Sequence, residues 1–140
     1  MPVADDGTEL HLGGSLQAGH AAAGKSVNFA VTLRTLDSFA FKDVRIIKID
    51  VEGSEMDVLA GARETILRDK PSLIAELLTG AHADPVAVTE EICASYGYTA
   101  RLVTIDGQIV EALPVLRNLG SNTTWGSPIR NRNVLFLPER

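Results

Sequence analysis

The stretch from Val44 to Glu55, VRIIKIDVEGSE, constrains the fold of this chain more than any other part of the sequence. It begins with β-branched apolar residues, which are typical of a strand buried on both faces of a parallel sheet. It becomes acidic at Asp50 and Glu52, and Ser54 then stands three residues before a carboxylate, which is the spacing of a helical capping box. The pattern therefore predicts a strand, a tight acidic turn and a helix.

The acidic end of this strand is the first place where chemistry is expected. In open α/β sheets, ligands bind outside the carboxyl ends of the strands, and Asp50 and Glu52 stand at such an end. Because side chains alternate along an extended chain, the two carboxylates need not point the same way. The structural alternative is that the acidic turn caps the helix and pairs with Lys48 or Arg45. Lys48 needs a partner if it is buried, and Glu76 on the next predicted strand is the expected one.

Length, charge and cysteine content limit the classes to which the protein can belong. A chain of 140 residues is long enough for one domain with a hydrophobic core. The net charge of -5 argues against nucleic acid or an anionic membrane as a partner. The only cysteine, Cys93, cannot form an intrachain disulfide or a cysteine metal cage, and we predict no metal site. Without an apolar run of membrane-spanning length or a signal peptide, we expect a cytoplasmic location.

The remaining sequence alternates between strand and helix patterns. Residues 1–26 are rich in glycine and small polar residues and predict a loop-rich segment. Asp84 before Pro85 has the pattern of a helix N-cap, and Asp106-Gly107 predicts a hairpin turn. A mid-helix glycine is costly, so Gly61 indicates a close approach to the sheet. The predicted strands are 27–33, 44–51, 72–78, 98–105, 108–111 and 133–137, the predicted helices are 55–68 and 85–96, and 114–133 is predicted to be irregular.

The order of these elements predicts a single α/β domain. Strands separated by helices favour a parallel sheet, and the hairpin adds antiparallel strands near the C-terminus. Right-handed crossovers that advance in one direction place both helices on the same side of the sheet. The predicted architecture is a mostly parallel sheet with an antiparallel C-terminal end and helices on one face.

Several of these segments together resemble the C-terminal half of FkbM-type methyltransferases. The resemblance extends over about residues 27–138 and is most specific within 35–76. It implies a partial Rossmann-like fold and an S-adenosylmethionine-dependent methyltransferase that transfers a methyl group to an oxygen of a small molecule or sugar. The segments that carry it are TLD at 35–37, IKIDVEGSE at 47–55, VLAGA at 58–62, KPSLIAE at 70–76 and NVLFLP at 133–138.

The same resemblance suggests roles for individual residues. It places Asp50 and Glu52 near the transferred methyl group, where a carboxylate can orient an acceptor hydroxyl or take its proton. Asp50 and Asp37 become candidates for cofactor binding, with a turn-forming role as the alternative for Asp37. His82 lies in a loop predicted at the same rim and is a third catalytic candidate, because histidine titrates near neutral pH. The alternative for His82 is a solvated surface side chain.

One part of the family pattern is not found in this sequence. The first half of such folds carries a strand, a glycine-rich turn and a helix that bind the cofactor. Gly13-Gly14 does not match, because it leads into a loop, and residues 5–10 resemble the point just after that first half. We therefore expect residues 27–138 to form the second half of the fold. Its uncovered edge and face predict a homodimer or an assembly with a complementary chain.

Two readings besides the enzyme stay open at this point. The chain can be a non-catalytic methyltransferase-like remnant or interaction module, which keeps the fold and binds no cofactor. It can also be an α/β domain that binds an unrelated small ligand. Whether the isolated chain is active is left open by the sequence, and so is the acceptor.

Overall fold

The computed structural model describes residues 32–51, 53–77, 84–119 and 133–139. The predicted N-terminal loop segment 1–26 and most of the predicted strand 27–33 lie outside these ranges. A short 3-10 turn, Asp37–Phe39, precedes the first strand. The strands are β1 (Ile46–Ile49), β2 (Ser72–Glu76), β3 (Tyr98–Val103), β4 (Ile109–Glu111) and β5 (Asn133–Pro138), and the helices are α1 (Glu55–Ala60), α2 (Arg63–Asp69), α3 (Pro85–Tyr96) and α4 (Ala112–Leu119).

The five strands form one mixed sheet in the order β1-β2-β5-β3-β4. Among the described strands, only β1 and β2 pair in parallel, whereas β2 with β5, β5 with β3, and β3 with β4 are antiparallel. The prediction of a mostly parallel sheet is therefore wrong. The cause is the position of β5, which lies between β2 and β3. Those two strands point the same way, but each pairs with the reversed β5 instead of with the other.

Helix α3 and the hairpin follow their local sequence signals. The Asp84 carboxylate accepts hydrogen bonds from the backbone N–H groups of Val86 and Ala87, and Gly97 ends the helix with a φ of 71°. The N-cap prediction is confirmed, as is the hairpin, because β3 and β4 pair across the turn that contains Gly107. Helix α4 was missed within the segment predicted to be irregular. Its proline falls in the first turn, where a helix tolerates the missing N–H.

The helix predicted over 55–68 is broken into α1 and α2 at Gly61. The glycine does mark a close approach, but not to the sheet. A Cβ at this position would lie 3.3 Å from the side chain of Thr35, and the Gly61 carbonyl accepts a hydrogen bond from the Asp37 N–H. The break therefore lets the segment that leads to β1 pack directly against the helical layer.

The core lies on one face of the sheet. Buried and half-buried positions alternate along β2, β3 and β5, and the buried set joins one cluster with residues of α1, α2, α3 and α4. The opposite side of β1 is open, because Ile46 is 65% exposed and Lys48 is also exposed. The prediction that this strand is buried on both faces is wrong, because Ile46 and Lys48 expose one of them. Among the described residues, β1 is also an edge strand with β2 as its single neighbour.

Asp37 anchors the segment before β1 to α2. Its carboxylate accepts hydrogen bonds at 2.9 Å from the N–H groups of Glu64 and Thr65, and one at 2.7 Å from the Thr65 hydroxyl. These groups begin α2, so Asp37 caps this helix from a distant part of the chain. Partial burial alone would raise the pKa of Asp37, but the hydrogen bonds from Thr65 and Glu64 outweigh it and hold the pKa below 3.8.

No helix among the described ranges is long and apolar enough to cross a membrane.

We predict that Asp37→Ala lowers the free energy of unfolding by about 1 kcal/mol, the usual cost of a lost cap. Because the folded-state pKa is depressed, the stabilisation is present above pH 3.8 and is lost as pH falls through the folded value. Urea unfolding at pH 7 and at pH 3 measures both effects, and the difference between wild type and variant shrinks at the lower pH. Glu91→Ala, which removes an exposed carboxylate of α3, is the control. Equal effects of the two variants at pH 7 would contradict the capping role.

Candidate functional site

Three polar residues lie in one row at the carboxyl ends of β1 and β2. The last parallel pair of these strands is Ile49 with Ala75, so Asp50, which follows β1, lies beside Glu76, the last residue of β2. Glu76 is paired in turn with Asn133, the first residue of β5. This end of parallel strands is where ligands bind in open α/β sheets. The row Asp50, Glu76 and Asn133, which we call the rim, is therefore the candidate site.

Asp50 is an accessible and ionised carboxylate. Its Oδ2 atom lies 2.7 Å from Lys48 Nζ, and the side chains of Asp50 and Lys48 are 47% and 48% exposed. The hydrogen bond from Lys48, and after it a hydrogen bond with Glu76, holds the pKa of Asp50 below its ordinary value of 3.8. The ion pair itself is exposed and contributes little to stability.

This charge state decides which chemistry Asp50 can perform. A carboxylate with a depressed pKa accepts hydrogen bonds strongly but is a weak base near neutral pH. It is therefore suited to bind hydroxyl or ammonium groups and to orient them. The neighbouring carboxyl of Glu76 and the amide of Asn133 add further polar groups along the same row.

The turn that follows Asp50 is held by a buried carboxylate. Glu55, only 1% exposed, accepts hydrogen bonds from the N–H of Gly53 at 3.0 Å and from the N–H of Val51 at 3.4 Å. Gly53 has a φ of 102°, a conformation that side chains disfavour, so glycine is required there. Because both N–H groups bind the same carboxylate, the backbone leaves β1 along a fixed path.

The capping box predicted from Ser54 is wrong. Ser54 lies at the N-cap of α1, but its side chain makes no capping hydrogen bond. Glu55, the next residue, reaches back to the preceding turn instead.

The sequence-predicted site residues are not all brought together. Asp50 lies at the rim, whereas both oxygens of the Asp37 carboxylate are engaged at the start of α2. Glu52 and His82 lie outside the described residues, so their roles stay predictions. No pattern in the sequence indicates Glu76 and Asn133 as rim residues. They form the last pair between β2 and β5, a position that is visible only once the register is known.

Neither a metal centre nor a cysteine nucleophile is found in the part of the chain that the structure describes. Within residues 32–51, 53–77, 84–119 and 133–139, no group of three His, Cys, Asp or Glu side chains is placed to hold a metal ion. Cys93 is half-buried on α3, and burial above all raises the pKa of its thiol. It therefore stays protonated at neutral pH and serves packing.

We predict that Glu55→Ala lowers the free energy of unfolding by about 2–3 kcal/mol, because it leaves the N–H groups of Val51 and Gly53 without their acceptor. Urea unfolding measures the loss, and the amide resonance of Gly53 reports the change in the turn. Asp57→Ala is the matched control, since Asp57 lies in the first turn of the same helix but is exposed. The prediction fails if both variants are equally stable, or if the Gly53 resonance does not shift.

A comparison with protein families assigns the chain. The model of the methyltransferase FkbM domain matches residues 4–120. This match starts earlier than the resemblance noted in the sequence and ends before β5, but it includes the whole segment from β1 to α3. No curated protein and no solved structure matches the chain. Because the family model covers most of the sequence, the chain belongs to the FkbM methyltransferase domain family.

Proposed function

We propose that this chain is an S-adenosylmethionine-dependent methyltransferase that acts on an oxygen of a small molecule or sugar. The observation that carries the proposal is the family match, which includes the segment that ends in Asp50 at the carboxyl end of β1. The mixed sheet is proposed to be part of a Rossmann-like sheet. The cytoplasmic location stays a prediction from the sequence.

The rim residues are chemically suited to one part of the cofactor site. S-adenosylmethionine carries hydroxyl groups and a positively charged amino group, and it supplies an activated methyl group when bound. An ionised, half-exposed carboxylate such as Asp50 accepts hydrogen bonds from such groups. Asp37 is the weaker candidate for cofactor binding, because the N-terminus of α2 already engages both of its oxygens.

We propose that Asp50 orients the acceptor or the cofactor and does not act as a strong base. Its low pKa leaves it ionised at neutral pH but makes it a poor proton acceptor. Lys48 keeps the carboxylate in place through the contact at 2.7 Å. If a base is needed to deprotonate the acceptor, Glu52 and His82 remain the candidates that the sequence offers.

The central test is calorimetric titration of S-adenosylmethionine into the chain, followed by transfer of a labelled methyl group to pools of hydroxyl-bearing small molecules. We expect binding in the micromolar range and transfer that Asp50→Asn reduces by about 100-fold, because misplaced reactants lose rate to that degree. Asp106→Asn, which removes an exposed carboxylate in the hairpin turn, is the control and should leave transfer unchanged.

Two results would contradict the proposal. If neither heat nor a thermal shift accompanies the addition of S-adenosylmethionine, the non-catalytic remnant or interaction module becomes the better account. If Asp50→Asn and Asp106→Asn transfer methyl groups equally well, the enzyme survives but Asp50 is not part of its site.

We further propose that a second copy of the chain pairs with the open edge of β1. Among the described residues this edge has no neighbour, and Phe39, Phe41 and Ile46 expose 48%, 51% and 65% of their surface nearby in the sequence. A strand edge matches itself when a two-fold axis brings two copies together in antiparallel orientation. Exposed edges and apolar patches of this kind favour association.

Light scattering at high concentration should then give twice the mass of the chain, and Ile46→Lys should give the monomer, because a charge on an edge strand blocks pairing. Ile105→Lys is the matched control, since Ile105 is also 65% exposed but lies in the hairpin turn. A wild-type monomer would contradict the proposal and favour a complementary chain as the partner. Loss of the dimer in both variants would show that edge pairing is not its cause.

A further inference from the structure

A cavity lies at the end of the sheet opposite the rim. Its volume is about 480 Å³, within the range of small-molecule sites. Arg45 precedes β1 and Ser72 begins β2, whereas Asp50 follows the other end of β1 and Glu76 is the last residue of β2. The cavity is therefore separate from the proposed methyl-transfer site. Its lining residues are Arg45, Asp69, Lys70, Ser72, Thr99, Leu137 and Pro138.

The register of three strands builds one wall of this cavity. Thr99 on β3 is paired with Leu137 on β5. Ser72 stands one residue before Leu73, which is paired with Phe136, so it lies on the other side of Leu137. All three belong to the half-buried set of their strands, opposite the core. Two hydroxyl groups thus flank an apolar side chain on the same face.

Two cations border the wall. Arg45 is anchored through its backbone, because its carbonyl accepts a hydrogen bond from the Ser72 N–H at 2.9 Å. Its guanidinium is exposed, and the described residues place no carboxylate in contact with it. The ammonium of Lys70 donates one hydrogen bond to the Tyr96 carbonyl at 2.9 Å. The same nitrogen lies 6.0 Å from the centre of the Tyr98 ring, so Lys70 borders the cavity as a positive charge held beside the end of α3.

The negative charge of Asp69, the acidic residue in the lining, is balanced by Arg68. The two oxygens of Asp69 lie 2.7 Å from nitrogen atoms of Arg68, and one of them also accepts a hydrogen bond from the Val44 N–H at 3.0 Å. These contacts, that of Arg68 first, lower the pKa of Asp69 to about 2. With Asp69 balanced by Arg68, the charges of Arg45 and Lys70 give the cavity a positive balance.

We propose that this cavity binds the phosphate group of a small phosphate monoester. The guanidinium of Arg45 matches a phosphate through two parallel hydrogen bonds, and Lys70 acts as a second positive charge. The hydroxyl of Ser72 supplies a donor from the sheet, whereas that of Thr99 already donates to the Leu137 carbonyl at 3.4 Å. Leu137 and Pro138 offer apolar contact to the organic part. A phosphate monoester has more terminal oxygens and a larger negative charge than a carboxylate, and its oxygens are spread in three dimensions, so it can engage more of these donors at once.

The test is an NMR titration of the full chain with phenyl phosphate, inorganic phosphate and acetate. The amide resonances of Arg45, Lys70, Ser72 and Thr99 should shift and saturate with phenyl phosphate, more weakly with inorganic phosphate, and least with acetate. Arg45→Gln should weaken phenyl phosphate binding by about tenfold or more, because a charge-assisted pair is lost. The measurement requires neither S-adenosylmethionine nor methyl transfer, so it is independent of the proposed function.

Arg117→Gln is the matched control, because it removes the same charge from an exposed arginine that pairs with Glu90 on the helical side. It should leave the affinity unchanged within about twofold. The proposal is overturned if no resonance near the cavity saturates, if the two arginine variants weaken binding equally, or if acetate binds as tightly as phenyl phosphate. Retained amide spectra of both variants would verify that each still folds.

Discussion

The candidate site depends on one buried contact, that of the Glu55 carboxylate with the N–H groups of Val51 and Gly53. An ionisable group that is 1% exposed is costly unless it is hydrogen-bonded, and an unpaired backbone N–H in the interior is costly as well. At this turn the carboxylate and the two N–H groups satisfy each other's hydrogen-bonding requirement. As a result, the chain ends β1, turns through Gly53 and begins α1 along one path, and Asp50 is left facing outward at the rim.

Short-range sequence signals predicted the elements better than they predicted the sheet. The Asp84 cap and the hairpin at Gly107 each depend on a few neighbouring residues, and each is found where the pattern placed it. The position of β5 depends on pairings between residues far apart in the chain. The crossover rule gives the directions of β1, β2 and β3 but does not reveal that another strand separates two of them.

The sequence predicts those residues of the site whose position follows from neighbouring residues in the chain. A strand followed by an acidic turn and a helix indicates Asp50 as a rim residue. Glu76 and Asn133 join it through the register of β2 with its two neighbours, which no local pattern encodes. Asp37 was a candidate for the site but caps α2 instead. Its position in a turn does not indicate this role, because the N–H group of Glu64 that it binds is 27 residues away in the sequence. Family resemblance alone does not separate these roles.

The place of β5 has a consequence for how the chain reaches its fold. The β3–β4 hairpin joins neighbouring segments, and β1 and β2 are connected through α1 and α2, so each pair can form before the last strand of the chain is made. They become one sheet only when β5 enters between β2 and β3. Because long-range pairings are slow to form, this insertion is expected to be the late step of folding. Until then, both units present unpaired inner edges. Such edges are prone to aggregation and are a kind of surface that chaperones protect.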